Sequence, residues 1–401
     1  MNNIVIILLV SLGAMIASWI AFPYVLRFAQ NHNIVDNPNA RKLQRVPVPV
    51  MGGLVVYAGI LVGCTILSFF LRDINLLLGI GAMSIMLFIG IWDDMRELSA
   101  KLRFLLEFSL VGIYMAMTGN YIDSFHGMFG IYELNEAVAV PLSLIAGVGI
   151  MNAVNLIDGV DGYSSGYGMF ACGCFAIVFY VALRPIWVCI SLIVVASLFP
   201  FFMHNVFGIK SKMFIGDGGT LMLGMLMTIF VFEILSKSSR YAYLDQCDVC
   251  LPAMTLAILC VPVFDTVRVM TMRIFRGRSP FKPDKTHLHH LFIDMGFSHF
   301  GSAMSIMMIN AIVVLVWLFL WWFGATIEIQ AVAVVVMGFM VTFFFYKLMK
   351  IQQNKGLVDE EGYPQGTWLW HKFCQIGEKS HFEKGRVWHF LRWLMDSLTP
   401  R

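Results

Sequence analysis

Charged residues are scarce in this sequence. They make up 13% of its 401 residues, against roughly a quarter in an ordinary soluble domain, whereas 59% of the residues are hydrophobic. A chain with so little charge is not adapted to water, which excludes a soluble globular enzyme. Apolar runs recur along nearly the whole length, and each is long enough, or nearly so, to cross a bilayer core of about 30 Å. The sequence therefore predicts an all-α, polytopic integral membrane protein.

We expect about eleven transmembrane helices. The apolar runs cover residues 3–22, 50–71, 74–92, 104–118, 137–153, 166–183, 186–204, 218–236, 251–267, 303–326 and 328–346. The first run has neither a basic segment ahead of it nor a small-residue cleavage site, so we expect a retained helix rather than a signal peptide. No internal repeat is visible, which counts against a transporter built from inverted repeats.

Lys and Arg are nearly absent from every second loop. If the N-terminus lies outside, the inward segments hold 24 of the 28 basic residues, and the outward loops hold only Arg72, Arg184, Lys237 and Arg240. Cytoplasmic loops carry an excess of Lys and Arg, so this split predicts an N-terminus outside the cell. An odd number of helices then leaves the C-terminus in the cytoplasm.

Cysteine is sparse and scattered, with eight in the chain. Cys247 and Cys250 form a CxxC in a predicted outward loop, where an oxidising compartment would permit a disulfide or redox chemistry. A functional role for the pair is the less favoured interpretation.

Residues 351–401 differ in composition from the apolar part, so we divide the chain into a transmembrane domain, 1–350, and a cytoplasmic tail. In "RVWHFLRWLMDSL" the apolar residues follow helical spacing, while Arg392 and Asp396 face away from them. The apolar positions are Val387, Phe390, Leu391, Leu394 and Leu398. This pattern favours a short amphipathic helix on the membrane surface over a partner-binding element.

The first inward segment, residues 35–53, is irregular and basic. Asn, Pro and Gly break it, and Arg41, Lys42 and Arg45 give it positive charge. Topology signalling and anion binding both fit these residues.

Two adjacent carboxylates, Asp93 and Asp94, lie in the second inward segment, "WDDMRELSAKLRF". A divalent cation, or the nearby Lys101 and Arg103, would relieve their mutual repulsion. A solvated helix cap is the alternative, so the pair alone is a weak signal.

The third inward segment, "NAVNLIDGVDG", places Asn152, Asn155, Asp158 and Asp161 three residues apart. Steps of three rotate by about −60° on an α-helix, so the first and last of these residues would lie on opposite sides. Glycines at 159 and 162 offer a break that could turn both carboxylates toward a common point. A simple turn needs fewer polar residues, so the surplus favours a site.

In the fourth segment, "KMFIGDGGT", Asp217 lies among glycines that would let a ligand approach the backbone closely. Phe214 could be core or a stacking surface, and spacing alone favours core. The fifth segment, "RIFRGRSPFKPDKTHLHHLF", ends in His287, His289 and His290. A structural zinc site commonly uses Cys, and none is near, so the histidines favour phosphate recognition. The cations that accompany them are Arg276, Arg278, Lys282 and Lys285.

The five segments together combine acids suited to Mg²⁺ with cations suited to a polyphosphate. This combination is typical of phosphoryl transfer, here between a lipid substrate and a soluble phosphate donor. An ion-coupled transporter or Mg²⁺ channel is the alternative from another class. Transporters place ionisable residues near the bilayer midplane, whereas only Glu107, Glu233 and Asp265 lie within the predicted spans, so we favour an enzyme.

These loops resemble those of one family. The segments "DNPNARKLQRVPVPVMGG", "DDMRELSAKLRF", "NAVNLIDGVDG", "FIGDGGT" and "RGRSPFKPDKTHLHHLF" occur in the order found in the polyprenyl-phosphate N-acetylhexosamine-1-phosphate transferases. The resemblance is strongest to the bacterial WecA type, covers about residues 1–350 and leaves out the tail. It implies a multi-pass enzyme of the bacterial inner membrane with its active site on the cytoplasmic face.

The resemblance implies transfer of a sugar 1-phosphate from a UDP-sugar to undecaprenyl phosphate. UMP is released, and the lipid-linked pyrophosphoryl sugar begins a cell-surface glycan such as O-antigen or capsule. Mg²⁺ is the implied cofactor, with Mn²⁺ as an alternative. The expected partners are undecaprenyl phosphate, the UDP-sugar and membrane lipids. Nucleic acid is not expected, and a homodimer is left open.

Site roles are carried over from the family by matching residues. Asp217 resembles the Mg²⁺ ligand, and Asp93 the acid that deprotonates or positions the lipid phosphate, with Asp94 beside it. Lys101 is the lysine of "LSAK". Phe214 falls where an aromatic ring stacks on uracil, which reverses its assignment to the core. The other matches are Asn152, Asn155, Asp158 and Asp161 in the nucleotide and metal pocket, and Arg278, His287, His289 and His290 in the donor's phosphate and sugar loop.

The spacing of the histidines resembles the N-acetylglucosamine enzymes more than the phospho-N-acetylmuramoyl-pentapeptide branch, whose histidines are consecutive. UDP-N-acetylglucosamine is therefore the expected donor, and another UDP-N-acetylated sugar is the alternative. Gln44, Thr220 and Tyr163 depart from the family pattern, where His, Ser and Leu are usual. A phosphate monoester is already mostly a dianion at about pH 7, so Asp93 is expected to orient the nucleophile or hold a metal rather than act as an essential base.

Overall fold

The computed structural model describes residues 3–36, 46–71, 73–238, 241–280, 285–355, 368–381 and 385–398. Its helices are α1 (Asn3–Asn31), α2 (Gly52–Ser68), α3 (Ile74–Arg96), α4 (Ala100–Thr118), α5 (Glu136–Leu156), α6 (Tyr163–Val181), α7 (Pro185–Phe207), α8 (Gly216–Leu235), α9 (Ala242–Gln246), α10 (Leu251–Ile258), α11 (Cys260–Phe275), α12 (Leu288–Asp294), α13 (His299–Trp322), α14 (Ile327–Lys355), α15 (Trp368–Lys379) and α16 (Arg386–Ser397). A short 3₁₀ helix, Met128–Gly130, precedes α5.

The prediction of a helical, polytopic membrane protein is confirmed. Within the described ranges, eight helices are long and apolar enough to cross a membrane, and the bent pair α10 and α11 would be a ninth. Two further predicted runs are also helical. Helix α2 has only 17 residues, and α4 carries Lys101, Arg103 and Glu107 along its length. The exact count of eleven spans stays a prediction.

The predicted run 251–267 is not one straight helix. Helices α10 and α11 meet at Leu259 with a bend of 78°. Pro262, in the first turn of α11, has no N–H and crowds the carbonyl four residues earlier, which breaks a straight helix. Asn310 of α13 bonds the freed backbone groups: its Oδ1 accepts the N–H of Val261, and its Nδ2 donates to the carbonyl of Ile258 at 3.0 Å. A broken helix is tolerated in a membrane when neighbouring side chains satisfy its backbone in this way.

Helix α8 lies at the centre of the bundle, and all of its residues except Asp217 are buried. It packs against α2, α3 and α5, and glycines allow the close approach. A Cβ at Gly90 of α3 would come within 2.4 Å of Gly218 Cα, and one at Gly53 of α2 within 2.5 Å of Gly219 N. Small residues of this kind let membrane helices approach backbone to backbone. The N-terminus of α8 is thereby fixed against two other helices.

A small sheet departs from the all-α prediction. Val35–Asp36 (β1) pairs antiparallel with Val48–Pro49 (β2), and Val50 bridges to Phe214 in parallel. The carbonyls of Phe214 and Ile215 accept the N–H groups of Gly52 and Gly53. The first inward segment is therefore joined to the start of α8. Its basic residues, Arg41, Lys42 and Arg45, and Gln44 lie outside the described residues.

Both cysteines of the CxxC in the predicted outward loop lie within the described residues. Cys247 and Cys250 are both free thiols, half-buried and buried respectively. Their backbones are held by neighbouring side chains, since Trp321 Nε1 donates to the Cys247 carbonyl and Gln330 Oε1 accepts the Cys250 N–H.

Candidate active site

The polar loops meet in one cavity of about 730 Å³ at one end of the bundle. Its walls are the end of α3, the start of α4, the loop between α5 and α6, the start of α8, and the segment from α11 to α12. All the predicted site residues except Lys101 and Arg278 line it. The side chains of those two residues are exposed outside the lining. Five loops separated in sequence thus contribute to one site.

Asp94 binds the N-terminus of α8. Its Oδ1 accepts the N–H of Asp217 at 3.1 Å, and its Oδ2 accepts that of Gly218 at 3.3 Å. Gly216 has a φ of +75°, and a Cβ there would come within 2.6 Å of Asp94 Oδ2. The "GDGG" sequence is therefore needed at this point, because a carboxylate caps the first turn of a helix whose N–H groups are otherwise unpaired.

Asp93 has a different local function, since both of its oxygens are already engaged. Oδ1 accepts the N–H of Leu98 at 2.8 Å and so closes the turn between α3 and α4. Oδ2 lies 3.1 Å from Nη1 of Arg103. The same Nη1 lies 3.4 Å from Oδ2 of Asp217, whose side chain keeps 37% of its surface exposed toward the cavity. One guanidinium thus brings two carboxylates together.

Arg103 is held by an extended set of acceptors. Its Nη2 donates to Oδ1 of both Asn152 and Asn155 at 3.0 Å, and its Nε donates to the buried Glu107 at 3.1 Å. Asn152 also donates to Glu107, which locks the amide in place. A planar guanidinium with five N–H donors can serve several acceptors in this way, and a lysine cannot.

Asn155 connects this set to α8. Its Nδ2 donates to Oδ1 of Asp217 and to Oγ1 of Thr220, both at 2.8 Å. The hydroxyl of Thr220 is therefore an acceptor in the site.

The acidic loop between α5 and α6 bends as predicted. Helix α5 ends at Leu156, and Gly162, with a φ of +78°, precedes α6. The Asp158 side chain is exposed at the cavity wall and accepts a hydrogen bond from Ser164 Oγ at 2.8 Å. Desolvation by the surrounding cavity raises the pKa of the Asp158 carboxyl to about 7, against the opposing effect of that hydrogen bond, with Asp217 and Asp161 adding to the rise.

Asp161 pairs with a lysine and a histidine. Lys212 Nζ lies 2.6 Å from its Oδ2, and His299 Nδ1 lies 3.3 Å from the same oxygen. Burial alone would raise the pKa of Asp161, but His299 and Lys212 outweigh it and hold that pKa below its usual range. The two carboxylates of one loop are thus held with different proton affinities.

The three histidines stack along one wall. His287 Nδ1 lies 2.9 Å from Oδ2 of the buried Asp265, which also pairs with Arg268 at 2.7 Å. The rings of His287 and His289 are parallel, with centroids 6.0 Å apart. Burial, together with the neighbouring histidines, lowers the pKa of His289 well below its usual value. His289 is therefore a neutral hydrogen-bonding group at pH 7 rather than a cation.

Phe214 lines the cavity beside Lys212, whose Nζ lies 5.9 Å from the ring centroid. Its backbone is fixed on both sides, because its N–H donates to the Pro49 carbonyl and its carbonyl accepts from Gly52. The half-buried ring is thus available to a planar ligand rather than being part of the core.

Comparison with known proteins places the chain in a family. The sequence model described as Glycosyl transferase family 4 matches residues 76–235. A Bacillus subtilis (strain 168) protein named "Probable undecaprenyl-phosphate N-acetylglucosaminyl 1-phosphate transferase" is similar, with 33% identity over 314 residues, 78% of this chain and 83% of the relative. The chain belongs to glycosyl transferase family 4.

Two further relatives carry the name "Undecaprenyl-phosphate alpha-N-acetylglucosaminyl 1-phosphate transferase". The one from Escherichia coli (strain K12) is 30% identical over 285 residues, 69% of this chain and 73% of the relative. The one from Salmonella typhi is 26% identical over 322 residues, 78% of this chain and 82% of the relative. The resemblance predicted from the five loops is confirmed at the level of the family.

The matched range of this family 4 glycosyl transferase contains all the predicted acids and amides of the cavity but not the histidine loop. Sequence reasoning noticed Arg103 only as a neighbouring cation and missed Lys212 and His299 as partners of Asp161. Arg103 and Lys101 are two positions apart, so on a helix they point in nearly opposite directions, and a single sequence does not show which faces the bundle. In the basic segment before the histidines, Arg273 lines the cavity, whereas Arg278 does not.

The acids that line the cavity of this glycosyl transferase are candidate ligands for magnesium. Among the described side chains, no three His, Cys, Asp or Glu are grouped closely enough to hold a metal alone. Mg²⁺ commonly uses one or two carboxylates and completes its shell with substrate phosphates and water. Asp217, whose partly exposed carboxylate lines the cavity, fits that requirement.

Proposed function

We propose that this chain transfers N-acetylglucosamine 1-phosphate from UDP-N-acetylglucosamine to undecaprenyl phosphate, releasing UMP. The observation that carries the proposal is the meeting of Asp93 and Asp217 around Arg103 in a cavity that also contains the histidine wall. Carboxylates for a divalent ion and donors for phosphate oxygens are the groups that phosphoryl transfer requires. The names of the relatives support the choice of donor and acceptor.

The reaction joins an oxygen of the lipid phosphate to the β-phosphorus of the donor. The bond between that phosphorus and the bridging oxygen breaks, and UMP leaves with the bridging oxygen. No water is consumed, and the product is a lipid-linked pyrophosphoryl sugar, which we propose begins a cell-surface glycan. The lipid phosphate is mostly dianionic at about pH 7, so it can attack without losing a proton to the enzyme.

We assign the residues to positioning and charge. Phe214 would stack on uracil, and His289, neutral at pH 7, would donate a hydrogen bond to the UDP-sugar. Asp93, with both oxygens engaged, would fix Arg103 and the turn after α3 rather than act as a base. Asp217 would hold Mg²⁺, which when bound would neutralise the pyrophosphate charge.

The proposed orientation of the chain in the membrane follows from the distribution of Lys and Arg and from the solubility of the UDP-sugar. We propose eleven spans, an outside N-terminus, and an active site on the cytoplasmic face of a bacterial inner membrane. The excess of Lys and Arg in the segments that form the cavity supports this face, as does the need for a soluble UDP-sugar. The apolar helices that surround the cavity end would present the lipid substrate to it.

The experiment is UMP release by the purified protein with undecaprenyl phosphate, Mg²⁺ and a panel of UDP-sugars. We expect release with UDP-N-acetylglucosamine and none when the lipid phosphate is omitted. Release only with another UDP-N-acetylated sugar would show that the donor assignment is wrong. No release with any donor, from protein that is folded and monodisperse, would exclude the transferase function.

A further inference from the structure

The C-terminal tail contacts the two segments that hold Asp161. The tail lies outside the matched range 76–235, and its described part consists of α15 and α16. The sequence pattern placed Asp396 away from the apolar residues of α16. The Asp396 carboxylate faces the protein, whereas Val387, Phe390 and Trp393 of the same helix are exposed.

Asp396 binds the loop between α7 and α8. Its Oδ1 accepts the N–H groups of Ile209 and Lys210 at 3.0 Å and that of Ser211 at 3.2 Å. The hydroxyl of Ser211 donates to the same oxygen at 3.2 Å. Four donors on one carboxylate oxygen fix the backbone of a loop that has no secondary structure of its own. The next residue along this loop is Lys212, the partner of Asp161.

Ser380, just after α15, binds the start of α13 in a similar way. Its Oγ accepts the N–H of Ser298 at 3.1 Å, and its carbonyl accepts the Ser298 hydroxyl at 3.0 Å. The fit is close, because a Cβ at Gly301 would come within 2.4 Å of Ser380 Oγ. The residue after Ser298 is His299, the second partner of Asp161.

Trp388 of α16 joins the two segments directly. Its ring lies 4.7 Å from that of Phe207, at the end of α7, and 5.4 Å from that of Phe300, in the first turn of α13. Trp388 is buried in this position. The tail therefore spans the gap between the two chain segments that place Lys212 and His299 on the same oxygen of Asp161.

The acidic loop is also tied to the Lys212 loop through its backbone. Asn205 of α7 accepts the Gly162 N–H at 2.6 Å and donates to the Met213 carbonyl at 2.9 Å. Movement of the 208–213 segment would therefore be transmitted to Asp161 by two routes, the Lys212 ion pair and the Asn205 amide.

We infer that the tail is a positioning element for the active site, and that Asp396 and Ser380 are positioning residues that fix Lys212 and His299 around Asp161. The inference rests on the proposed function for its kinetic consequence, but its structural consequence does not depend on any reaction. Removal of either contact should loosen the acidic loop, although neither residue lines the cavity.

The first test is amide hydrogen exchange on the full-length protein in nanodiscs. In Asp396→Ala we expect at least fivefold faster exchange at residues 209–211 and in the acidic loop, where Gly162 and Tyr163 have hydrogen-bonded amides. Ser380→Ala should loosen the acidic loop from the other side, with faster exchange at Ser298. Asp396→Asn keeps an acceptor oxygen and should restore slow exchange. Faster exchange confined to 209–211 or Ser298, with the acidic loop unchanged, would overturn the inference.

The second test is kinetic. Asp396→Ala should lower kcat/KM for UMP release about tenfold, mainly through a higher KM for the UDP-sugar, and Asp396→Asn should recover most of it. In a Lys212→Met background, Asp396→Ala should lower kcat/KM by a factor at least three times smaller, because the Lys212 contact through which Asp396 acts is already lost. Ser397→Ala, whose hydroxyl bonds only to Leu394 within α16, is the matched control and should leave both measurements unchanged.

The outcomes separate this inference from the proposed function. Unchanged kinetics in Asp396→Ala, with the parent active, would overturn the positioning role and leave the transferase function intact. A parent that released no UMP would exclude the function, and the exchange in the acidic loop would then decide the inference alone. If Asp396→Ala failed to fold, Ser380→Ala would provide the same comparison through the other contact.

Discussion

The imidazole of His289 packs directly on the backbone of Gly159. A Cβ at position 159 would lie 2.2 Å from His289 Nε2, which is closer than two nonbonded atoms approach. His289 is buried, so it has little room to move aside. The glycine of "DGVDG" is therefore needed to admit a histidine from a segment 130 residues later in the sequence.

We expect Gly159→Ala to displace His289 and to lower kcat/KM for UMP release by at least tenfold. The protein should remain folded, since the clash is with one side chain at a cavity wall. Gly149→Ala is the control, because that glycine lies in α5, the helix that leads into the acidic loop, with no atom within 4 Å of the added Cβ. Equal activity of the two variants would contradict the placement of His289.

Arg103 should be more important for activity than Lys101. Removal of the Arg103 side chain in Arg103→Ala would leave Asp93, Asp217 and Glu107 close together without a cation. We expect a loss of at least 100-fold in kcat/KM, about 2.7 kcal/mol. Arg103→Lys should recover little, because an ammonium group cannot reach both amides and three carboxylates.

Lys101→Ala provides the comparison on the same helix. Its side chain is exposed outside the cavity lining, so we expect a loss at least ten times smaller than that of Arg103→Ala. A larger loss for Lys101→Ala would show that the role carried over from the "LSAK" match is correct and that the cavity lining omits a functional lysine.

Helix positions and the acidic loop could be predicted because each depends on local properties. Long apolar runs define membrane helices, and glycines at 159 and 162 define the break before α6. The bend between α10 and α11 could not be predicted from the local sequence, since it depends on Asn310 of another helix as well as on Pro262. Lys212 and His299 were missed, and Arg103 was named only as a neighbouring cation, for the same reason: the function of each depends on which distant carboxylate it meets. The roles carried over for Asp93, Asp217 and Phe214 remain predictions that their positions in the cavity make testable.

The pH dependence of activity should move when Ser164 is changed. The pKa of Asp158 is raised to about 7, and the Ser164 hydroxyl opposes that rise by stabilising the carboxylate. Ser164→Ala removes this donor, so the pKa of Asp158 should rise further. If the carboxylate form is the active one, the acid limb of kcat/KM should shift upward by about one pH unit. Ser165→Ala removes a buried hydroxyl that has no partner and should leave the limb in place.

The same shift predicts a stability trend. Because the folded-state pKa of Asp158 lies above its unfolded value, its contribution is fully present below about pH 4 and is lost as the pH rises through about 7. Ser164→Ala has the higher folded-state pKa, so it should go on losing thermal stability to about pH 8, whereas the loss in Ser165→Ala should level off at about pH 7. A parallel pH dependence of Tm in the two variants would contradict the environment assigned to Asp158.

Metal removal should abolish activity, and Asp217 should determine the metal requirement. We expect EDTA to stop UMP release and Mg²⁺ to restore it. Asp217→Asn keeps the size of the side chain but loses its charge, so it should raise the Mg²⁺ concentration for half-maximal activity at least tenfold. Electron paramagnetic resonance with Mn²⁺ should show weaker binding to this variant without substrate. Asp294→Asn, at an exposed acid at the end of α12, is the control and should bind Mn²⁺ as the parent does.

The proposed orientation can be tested with two single cysteines in a cysteine-free background. Tyr132, between α4 and α5, is 70% exposed, and Ile209, between α7 and α8, is 58% exposed, so both positions are open to a reagent. They lie in loops that the distribution of Lys and Arg assigns to opposite sides of the membrane. In intact cells a membrane-impermeant maleimide should label Tyr132→Cys, and it should label Ile209→Cys only after permeabilisation. The reverse pattern would place the cavity outside the cell, where no UDP-sugar is supplied, and would exclude the proposed donor as well as the topology.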